Sequence, residues 1–319
     1  MKVSVLGCGR WGSFLAWYSD KIGCDTSLWG RAESKNFAQL VATRANEYVT
    51  FGDGITFDGD LTRAISRADV IIISISSQQL RGFLGSIDKT LWQGKKIVLC
   101  MKGIEEGSGK RLTQVAIEQG VDQDQVAVWL GPGHIQEFVK GVPNCMTIDS
   151  YNHALTRELV DIFNSNLIRF YYGSDIIGNE IGGATKNIVG IAAGMLDGFG
   201  YASLKGPLMS RGVREVARLI KAVGGREETA YGLTHLGDYE TTLFSEHSNN
   251  RRYGENFVKG IPSLKLAEGV MTTKAVVELA AKYDVDMPIT QAVYDILFEN
   301  VSPQDALTRL FARDIKKEF

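Results

Sequence analysis

The chain has 319 residues, of which 44% are hydrophobic and 23% charged, and a formal net charge of −2. That length predicts two domains, each able to bury a core, and the composition is that of a globular protein. The small net charge gives no reason to expect a nucleic acid or an anionic membrane as partner. The four cysteines, Cys8, Cys24, Cys100 and Cys145, form no C-x-x-C pair. They read as reduced thiols packed as small apolar groups. The longest apolar stretch, Ile188 to Leu196, is too short to cross a bilayer, and the first residues lack a signal-peptide pattern. The expectation is a cytoplasmic protein with no stable membrane insertion.

The first predicted strand is the short apolar run Val3, Val5, Leu6, which stops at Gly7. A helical pattern follows from about Trp11 to Ile22, and Thr26 to Trp29 reads as the second strand. Ala68 to Ile75 is a continuous β-branched run, as expected of a strand buried on both faces. Lys96–Met101 and Val126–Leu130 are two more, and Cys145–Ile148 is a weaker one. Strands alternating with helices predict a doubly wound, parallel, Rossmann-type sheet. From Asp175 onward no convincing buried strand is seen. Helices are predicted over Ile176–Phe199, Pro207–Val223, Leu264–Tyr283 and Ile289–Phe298, with one irregular polar segment, Leu236 to Gly254. The expected organisation is a dinucleotide-binding domain over 1–175 and an all-α substrate and catalytic domain over 176–319.

Gly7-Cys8-Gly9-Arg10-Trp11-Gly12 has the form G-x-G-x-x-G, placed after the first strand and at the start of the first helix. Gly7 permits the tight turn, Gly9 lets the backbone approach a pyrophosphate, and Gly12 lets the helix pack on the sheet. The helix N-terminus then offers N–H groups to the anion. At the end of the second strand an acidic residue would hold a ribose 2′-hydroxyl. Here Arg31 follows Gly30, with Glu33 close by. A guanidinium suits a 2′-phosphate, so NADP is favoured over NAD. Cys8, inside the loop, reads as an inert small side chain, and Gly107-Ser108-Gly109-Lys110 as a turn into a helix. His134, His153, His235 and His247 make no metal-binding spacing, so no metal is expected. His235 reads as an ordinary loop histidine.

The helix that opens the second domain carries Gly183, Asn187, Gly190 and Gly194 at helical spacing. This small face would allow another backbone, or a flat cofactor ring, to come close. Lys186 interrupts it, and reads equally well as a surface residue or as a buried functional one.

Glu180-Ile-Gly-Gly-Ala-Thr-Lys186-Asn187, with Ala192-Ala-Gly-Met-Leu-Asp-Gly198 after it, resembles the NAD(P)-dependent glycerol-3-phosphate dehydrogenases. Further matching motifs follow in order: Lys102-Gly103, Gly131-Pro132, Arg211-Gly212, Leu236-Gly237-Asp238, Asn250-Arg251-Arg252-Tyr253-Gly254, Glu268-Gly269 and Met287-Pro288-Ile289. With the glycine loop they cover essentially the whole chain. The resemblance implies reversible hydride transfer between a nicotinamide and dihydroxyacetone phosphate, giving sn-glycerol 3-phosphate for phospholipids. It makes Lys186 the proton donor to the carbonyl oxygen, where negative charge develops. Lys102 is the implied second cation, near cofactor and substrate, and Asp238 the residue that positions the catalytic lysine. Asn187 and Thr242 would bind substrate oxygens or order the site, and Glu268 would lie at the cofactor's edge. Arg10, Trp11, Ile135 and Arg251 complete the cofactor set. Gly131, Gly133, Ser248, Asn249, Asn250 and Arg251 complete the substrate set. The resemblance leans towards a homodimer.

Three stretches depart from the family pattern. The phosphate-gripping S-R-N-R is here Ser248-Asn249-Asn250-Arg251, so Asn249 stands where an arginine is usual. Gly133 replaces a serine or threonine, and Ala202 to Gly212 replaces N-A-x-A-A-L-I-x-R-G. Losing the arginine removes a bidentate phosphate clamp worth on the order of 1.5–3 kcal/mol, for which Arg251, Arg252 or His247 would have to compensate. Two rival readings follow. One is a same-fold dehydrogenase acting on a different small ketone or aldehyde. The other is a non-catalytic NADP-sensing protein.

Overall fold

The computed structural model describes residues 1–263, 267–315 and 317–318. The chain forms two compact units. The first comprises Met1–Lys102 and Lys110–Glu180, the second Gly103–Gly109 and Ile181–Phe319.

The first unit is built on eight strands: β1 (Lys2–Leu6), β2 (Asp25–Trp29), β3 (Thr56–Asp58), β4 (Val70–Ile73), β5 (Lys96–Leu99), β6 (Val126–Leu130), β7 (Asn144–Ser150) and β8 (Ile168–Tyr172). They lie in the order β3-β2-β1-β4-β5-β6-β7-β8. The first six have the 3-2-1-4-5-6 order of a Rossmann sheet. Every pairing is parallel except β6 with β7. The helices of this unit are α1 (Arg10–Lys21), α2 (Lys35–Thr43), α3 (Leu61–Arg67), α4 (Leu80–Gly85), α5 (Leu112–Glu118), α6 (Ile135–Val139) and α7 (His153–Phe163). Val70 to Ile73 are all fully buried, which is why this run carries no alternation. Two apolar cores result. One holds Val3, Val5, Phe14, Tyr18 and Trp129, the other Leu6, Ile71, Ile73, Leu99 and Val128.

The second unit holds α8 (Ile176–Gly198, entering it at Ile181), α9 (Lys205–Ala222), α10 (Asn249–Val258), α11 (Glu268–Lys282), α12 (Pro288–Phe298) and α13 (Pro303–Phe311). No strand occurs in it among the described residues. Glu215 of α9 is fully buried and accepts the N–H groups of Ile289 and Thr290 and the Thr290 hydroxyl. It therefore caps α12, whose opening proline leaves the following N–H groups to be satisfied.

Several elements differ from the sequence reading. The segment Leu236–Gly254 is helical: a 3₁₀ turn at Leu236–Asp238, a π-turn at Glu240–Phe244, then α10. Part of its polar composition is buried, in Asp238, Tyr239, Thr241 and Thr242, while Glu240, Glu246 and Arg252 are exposed. β7 runs antiparallel to β6, an arrangement that apolar patterning cannot report. β3 has three residues and β8 exposes Arg169, Tyr171 and Tyr172. Both were too short or too polar to read as strands. α13 follows a Ser302 cap and Pro303 at its first turn and was likewise missed. The predicted helix Leu264–Tyr283 is described from Glu268, and Leu264 to Leu266 lie outside the described residues. No helix among the described residues is long and apolar enough to cross a membrane.

Candidate functional site

In the first unit the glycine loop joins β1 to α1. Gly7 has φ +117°, a conformation that strongly favours glycine. A Cβ on Gly12 would overlap the Gly7 carbonyl oxygen, so helix and turn touch backbone to backbone. Gly9 has nothing within 4 Å of the place its Cβ would occupy. It is also the N-cap of α1, contributes no side-chain hydrogen bond, and no acidic side chain lies in the first turn. A backbone cradle at a helix N-terminus that no side chain caps fits a pyrophosphate. Arg10 reaches the Gln136 amide oxygen at 3.5 Å and lies over the Tyr48 ring. Trp11 packs on Phe14. Arg31 is exposed, two residues past the end of β2, and Glu33 is exposed too. Burial pushes the Cys8 thiol up, as an inert thiol requires.

Lys102, beyond β5, donates from Nζ to the Gly131 carbonyl at 2.9 Å. This links the chain ends above two neighbouring strands. Gly133 has φ +154°, and a Cβ there would come within 2.6 Å of the Phe138 Cζ. The Phe138 ring, stacked on Phe14 at 4.9 Å, thus accounts for the departure from serine or threonine. The Ile135 side chain is fully buried in the core, so only its backbone, at the start of α6, is available to a ligand.

In the second unit Lys186 of α8 is 7% exposed and Asp238 is 1% exposed. Lys186 Nζ lies 2.7 Å from Asp238 Oδ2 and donates to Thr242 Oγ1, also at 2.7 Å. The Thr241 hydroxyl donates to the other Asp238 oxygen. Lys186 is therefore the buried, paired alternative. One lysine, one carboxylate and two hydroxyls make an acid–base site held from two elements, and its burial strengthens each interaction. Asn187 is buried one residue on.

The small face of α8 receives a backbone. A Cβ on Gly194 would overlap the Arg251 carbonyl oxygen of α10, and one on Gly254 would overlap the Ile191 carbonyl oxygen of α8. Between the two alternatives for that face, the neighbour is a helix. Ser248 caps α10, accepting from the Arg251 N–H. Asn250 Oδ1 accepts the Gly269 N–H at the start of α11. Arg251 Nη1 is 2.6 Å from Asp197 and 3.0 Å from Glu255, and its Nε donates to the Ser245 carbonyl. Lys205 meets the same Asp197 oxygen at 2.7 Å. Arg252 donates to the Glu246 carbonyl, and His247 lies 3.9 Å from the Glu246 carboxylate. Asn249 is half-buried in the first turn of α10, and Glu268 is half-buried at the start of α11.

His235 is not an ordinary loop histidine. It is fully buried, hydrogen-bonded to the Gly182 carbonyl and to Tyr239, and burial lowers its pKa to about 4. Tyr239 and Thr241 were also missed. The available signal was a histidine and a tyrosine flanking Gly237-Asp238 at helical spacing. Among the described residues no group of three or more His, Cys, Asp or Glu side chains is placed to hold a metal. A separate cavity of about 540 Å³ in this unit is lined by Leu196, Phe199, Leu208, Ile289 and Val293, with arginines among its lining. None of Lys186, Asp238 or Thr242 lines it.

A Rossmann order, a glycine loop fitted to a pyrophosphate and a buried Lys–Asp acid–base pair together define a dinucleotide-dependent oxidoreductase. Residues 2–156 match the model of the NAD-dependent glycerol-3-phosphate dehydrogenase N-terminus, and residues 175–308 that of its C-terminus. The chain belongs to this family. It is 41% identical to a glycerol-3-phosphate dehydrogenase (NAD(P)+) of Prosthecochloris aestuarii, over the whole of both chains. It is 34% identical to that of Fusobacterium nucleatum, over all of this chain and 98% of the other. The crystal structure of glycerol-3-phosphate dehydrogenase from Coxiella burnetii superimposes with TM-score 0.91 at 29% identity, covering 98% of this chain and 99% of that one. A Plasmodium falciparum glycerol-3-phosphate dehydrogenase shares the fold, with TM-score 0.84 at 18% identity over 99% and 97% of the two chains.

Proposed function

We propose that this protein is an enzyme that interconverts dihydroxyacetone phosphate and sn-glycerol 3-phosphate with NAD(P)H, supplying the glycerol phosphate backbone of phospholipids in the cytoplasm. The observation that carries the reading is the buried Lys186–Asp238–Thr242 constellation, 2.7 Å at each lysine contact. Residues 1–175 act as the dinucleotide-binding domain and 176–319 as the substrate and catalytic domain.

Gly7, Gly9 and Gly12, with Arg10 and Trp11, would hold the pyrophosphate and its surroundings. Lys102, the Ile135 backbone, Arg251 and Glu268 complete the cofactor set. When bound, the reduced nicotinamide supplies a hydride. Lys186 donates the matching proton from Nζ to the carbonyl oxygen as negative charge builds there. Asp238 and Thr242 hold that Nζ in place, and Thr241 holds Asp238. Burial excludes water from the lysine, so the proton goes to substrate. Lys102 is a second cation of the catalytic set. Gly131, Gly133, Asn187 and the Ser248–Arg251 turn bind the substrate. Arg31 selects the 2′-phosphate of NADP over the hydroxyl of NAD. The working form is a homodimer.

A second reading, a related dehydrogenase for a less anionic ketone or aldehyde, is favoured by one observation. Asn249 leaves no arginine at the usual position, while Arg251 is engaged by Asp197 and Glu255. The loss of NADPH or NADH absorbance with dihydroxyacetone phosphate tests both. Wild type should oxidise the cofactor, and Lys186→Ala should lose about 10²–10⁴-fold. Inactivity towards this substrate with activity towards an uncharged ketone would establish the second reading.

A further inference from the structure

His235 and Tyr239 lie behind the Lys186–Asp238 pair and take no part in the chemistry above. The Gly182 carbonyl can only accept, so His235 Nδ1, 2.9 Å away, carries the proton. In the neutral ring Nε2 is then the acceptor, and the Tyr239 hydroxyl donates to it at 2.7 Å. Burial lowers the His235 pKa to about 4, with Gly182 and Asp238 opposing and Lys186 adding to that fall; the ring stays neutral near pH 7. The side chain is packed on both sides of the clamp as well. Tyr239 packs edge-on at 4.8 Å, and a Cβ on Gly182 would stand 3.0 Å from the His235 Cβ.

The two ends of this clamp lie on the two segments that make the site. Gly182 is one helical turn before Lys186 on α8, so its carbonyl faces the Lys186 N–H. The His235 carbonyl accepts the Asp238 N–H at 3.0 Å. Tyr239 follows Asp238 directly and leads into the turn carrying Thr241 and Thr242. Thr185 Oγ1, 3.4 Å from Nδ1, is held mainly by the Ile181 carbonyl at 2.8 Å.

We propose that His235 is a positioning residue for the reaction: as a fixed Nδ1–H tautomer between Gly182 and Tyr239 it sets the register of the Asp238–Thr242 turn against Lys186. It never touches substrate. Its effect is to keep Nζ at hydrogen-bond distance from both Asp238 and Thr242. This rests on the reading of Lys186 as proton donor.

The test uses the full-length protein with NADPH and dihydroxyacetone phosphate, comparing His235→Leu, His235→Asn, Tyr239→Phe and Lys186→Ala. His235→Leu should lower kcat by about 10²-fold, the size of effect that a misplaced catalytic group has. The Kd for NADPH, from fluorescence, should not change. His235→Asn, whose amide N–H can reach Gly182, should recover most of kcat. The pH limb of kcat that Lys186 sets should shift in His235→Leu and Tyr239→Phe and return in His235→Asn. Unchanged kcat and pH profile in His235→Leu, with Lys186→Ala inactive, would overturn the positioning role alone. An active Lys186→Ala would overturn the reading beneath it. If His235→Leu does not fold, ¹⁵N NMR of wild-type His235 decides with Tyr239→Phe. A proton on Nε2, or an unaltered Tyr239→Phe profile, overturns the proposal.

Discussion

Arg251 Nη1 lies 2.6 Å from Asp197 Oδ2, and the same nitrogen lies 3.0 Å from Glu255. The arginine next to the expected phosphate grip is therefore paired with two carboxylates of its own unit. Asn249, half-buried in the first turn of α10, is the position to change. Asn249→Arg should lower KM for dihydroxyacetone phosphate by about tenfold, the worth of one charged hydrogen bond. Arg251→Ala should lower Tm as well as kcat/KM, since it breaks the contacts to Asp197, Glu255 and Ser245. Steady-state kinetics beside thermal melts separate the two effects. An Asn249→Arg variant with unchanged KM would mean that phosphate is not gripped at this turn.

On the proposed reading, cofactor choice turns on Arg31. Arg31→Ala should reduce the ratio of kcat/KM for NADPH to that for NADH by about tenfold. A ratio that stays put would make Arg31 a solvated side chain.

The Lys186–Asp238 pair also bears on stability. Asp238→Ala leaves a buried ammonium without its carboxylate, at a cost of about 3–5 kcal/mol. The double variant Lys186→Met, Asp238→Leu removes both charges and should cost less. Urea unfolding measures both, and equal losses would show that the charge left behind is not what matters.

Two buried groups tilt stability with pH in opposite senses. Burial raises the Glu215 pKa to about 7 from 4.5. Its contribution is complete below pH 4.5 and is lost as pH rises through 7. His235 is lowered to about 4 from 6.5. Its contribution is complete above pH 6.5 and is lost as pH falls through 4. The two oppose each other between pH 4.5 and 6.5. Glu215→Gln should leave a Tm that climbs with pH across that window, and His235→Asn one that falls. Thermal midpoints from pH 4 to 8 check the signs. Parallel profiles in the two variants would contradict this account.

The α8–α10 contact predicts a strong contrast between glycines. Gly194→Ala must displace a backbone carbonyl and should cost about 1–3 kcal/mol or more. Gly82→Ala, exposed in α4 with nothing within 4 Å of its Cβ position, should gain up to about 1 kcal/mol of helix propensity. Chemical denaturation of both variants is the measurement.

Much of this molecule was legible from local pattern. β4 and β6 are unbroken runs of buried apolar residues, β1 and β5 are largely so, and a glycine turn joins the first strand to a helix. Only the family resemblance implies roles for Lys186, Asp238 and Thr242, which the fold brings within hydrogen-bond distance of one another. Taken alone, Lys186 was evenly balanced between surface and site, because a lysine looks the same in sequence whether or not a carboxylate meets it. The stretch from Leu236 to Gly254 misled for the same reason. Polarity is the usual mark of a solvated loop, yet here Asp238, Thr241 and Thr242 are buried and bonded to one another and to Lys186.

The sequence by itself determined the sheet class, the glycine turn between β1 and α1 and the presence of a helical second half. These follow from periodicity and from steric needs that only glycine meets, all within a few residues of chain. Tertiary structure alone decided that Lys186 meets Asp238 and Thr242, that Arg251 is taken up by Asp197, and that His235 is neutral and clamped. These pairs are separated by roughly fifty residues. Their energies depend on burial and on distances that differ by an ångström, and neither quantity is written in the order of the residues.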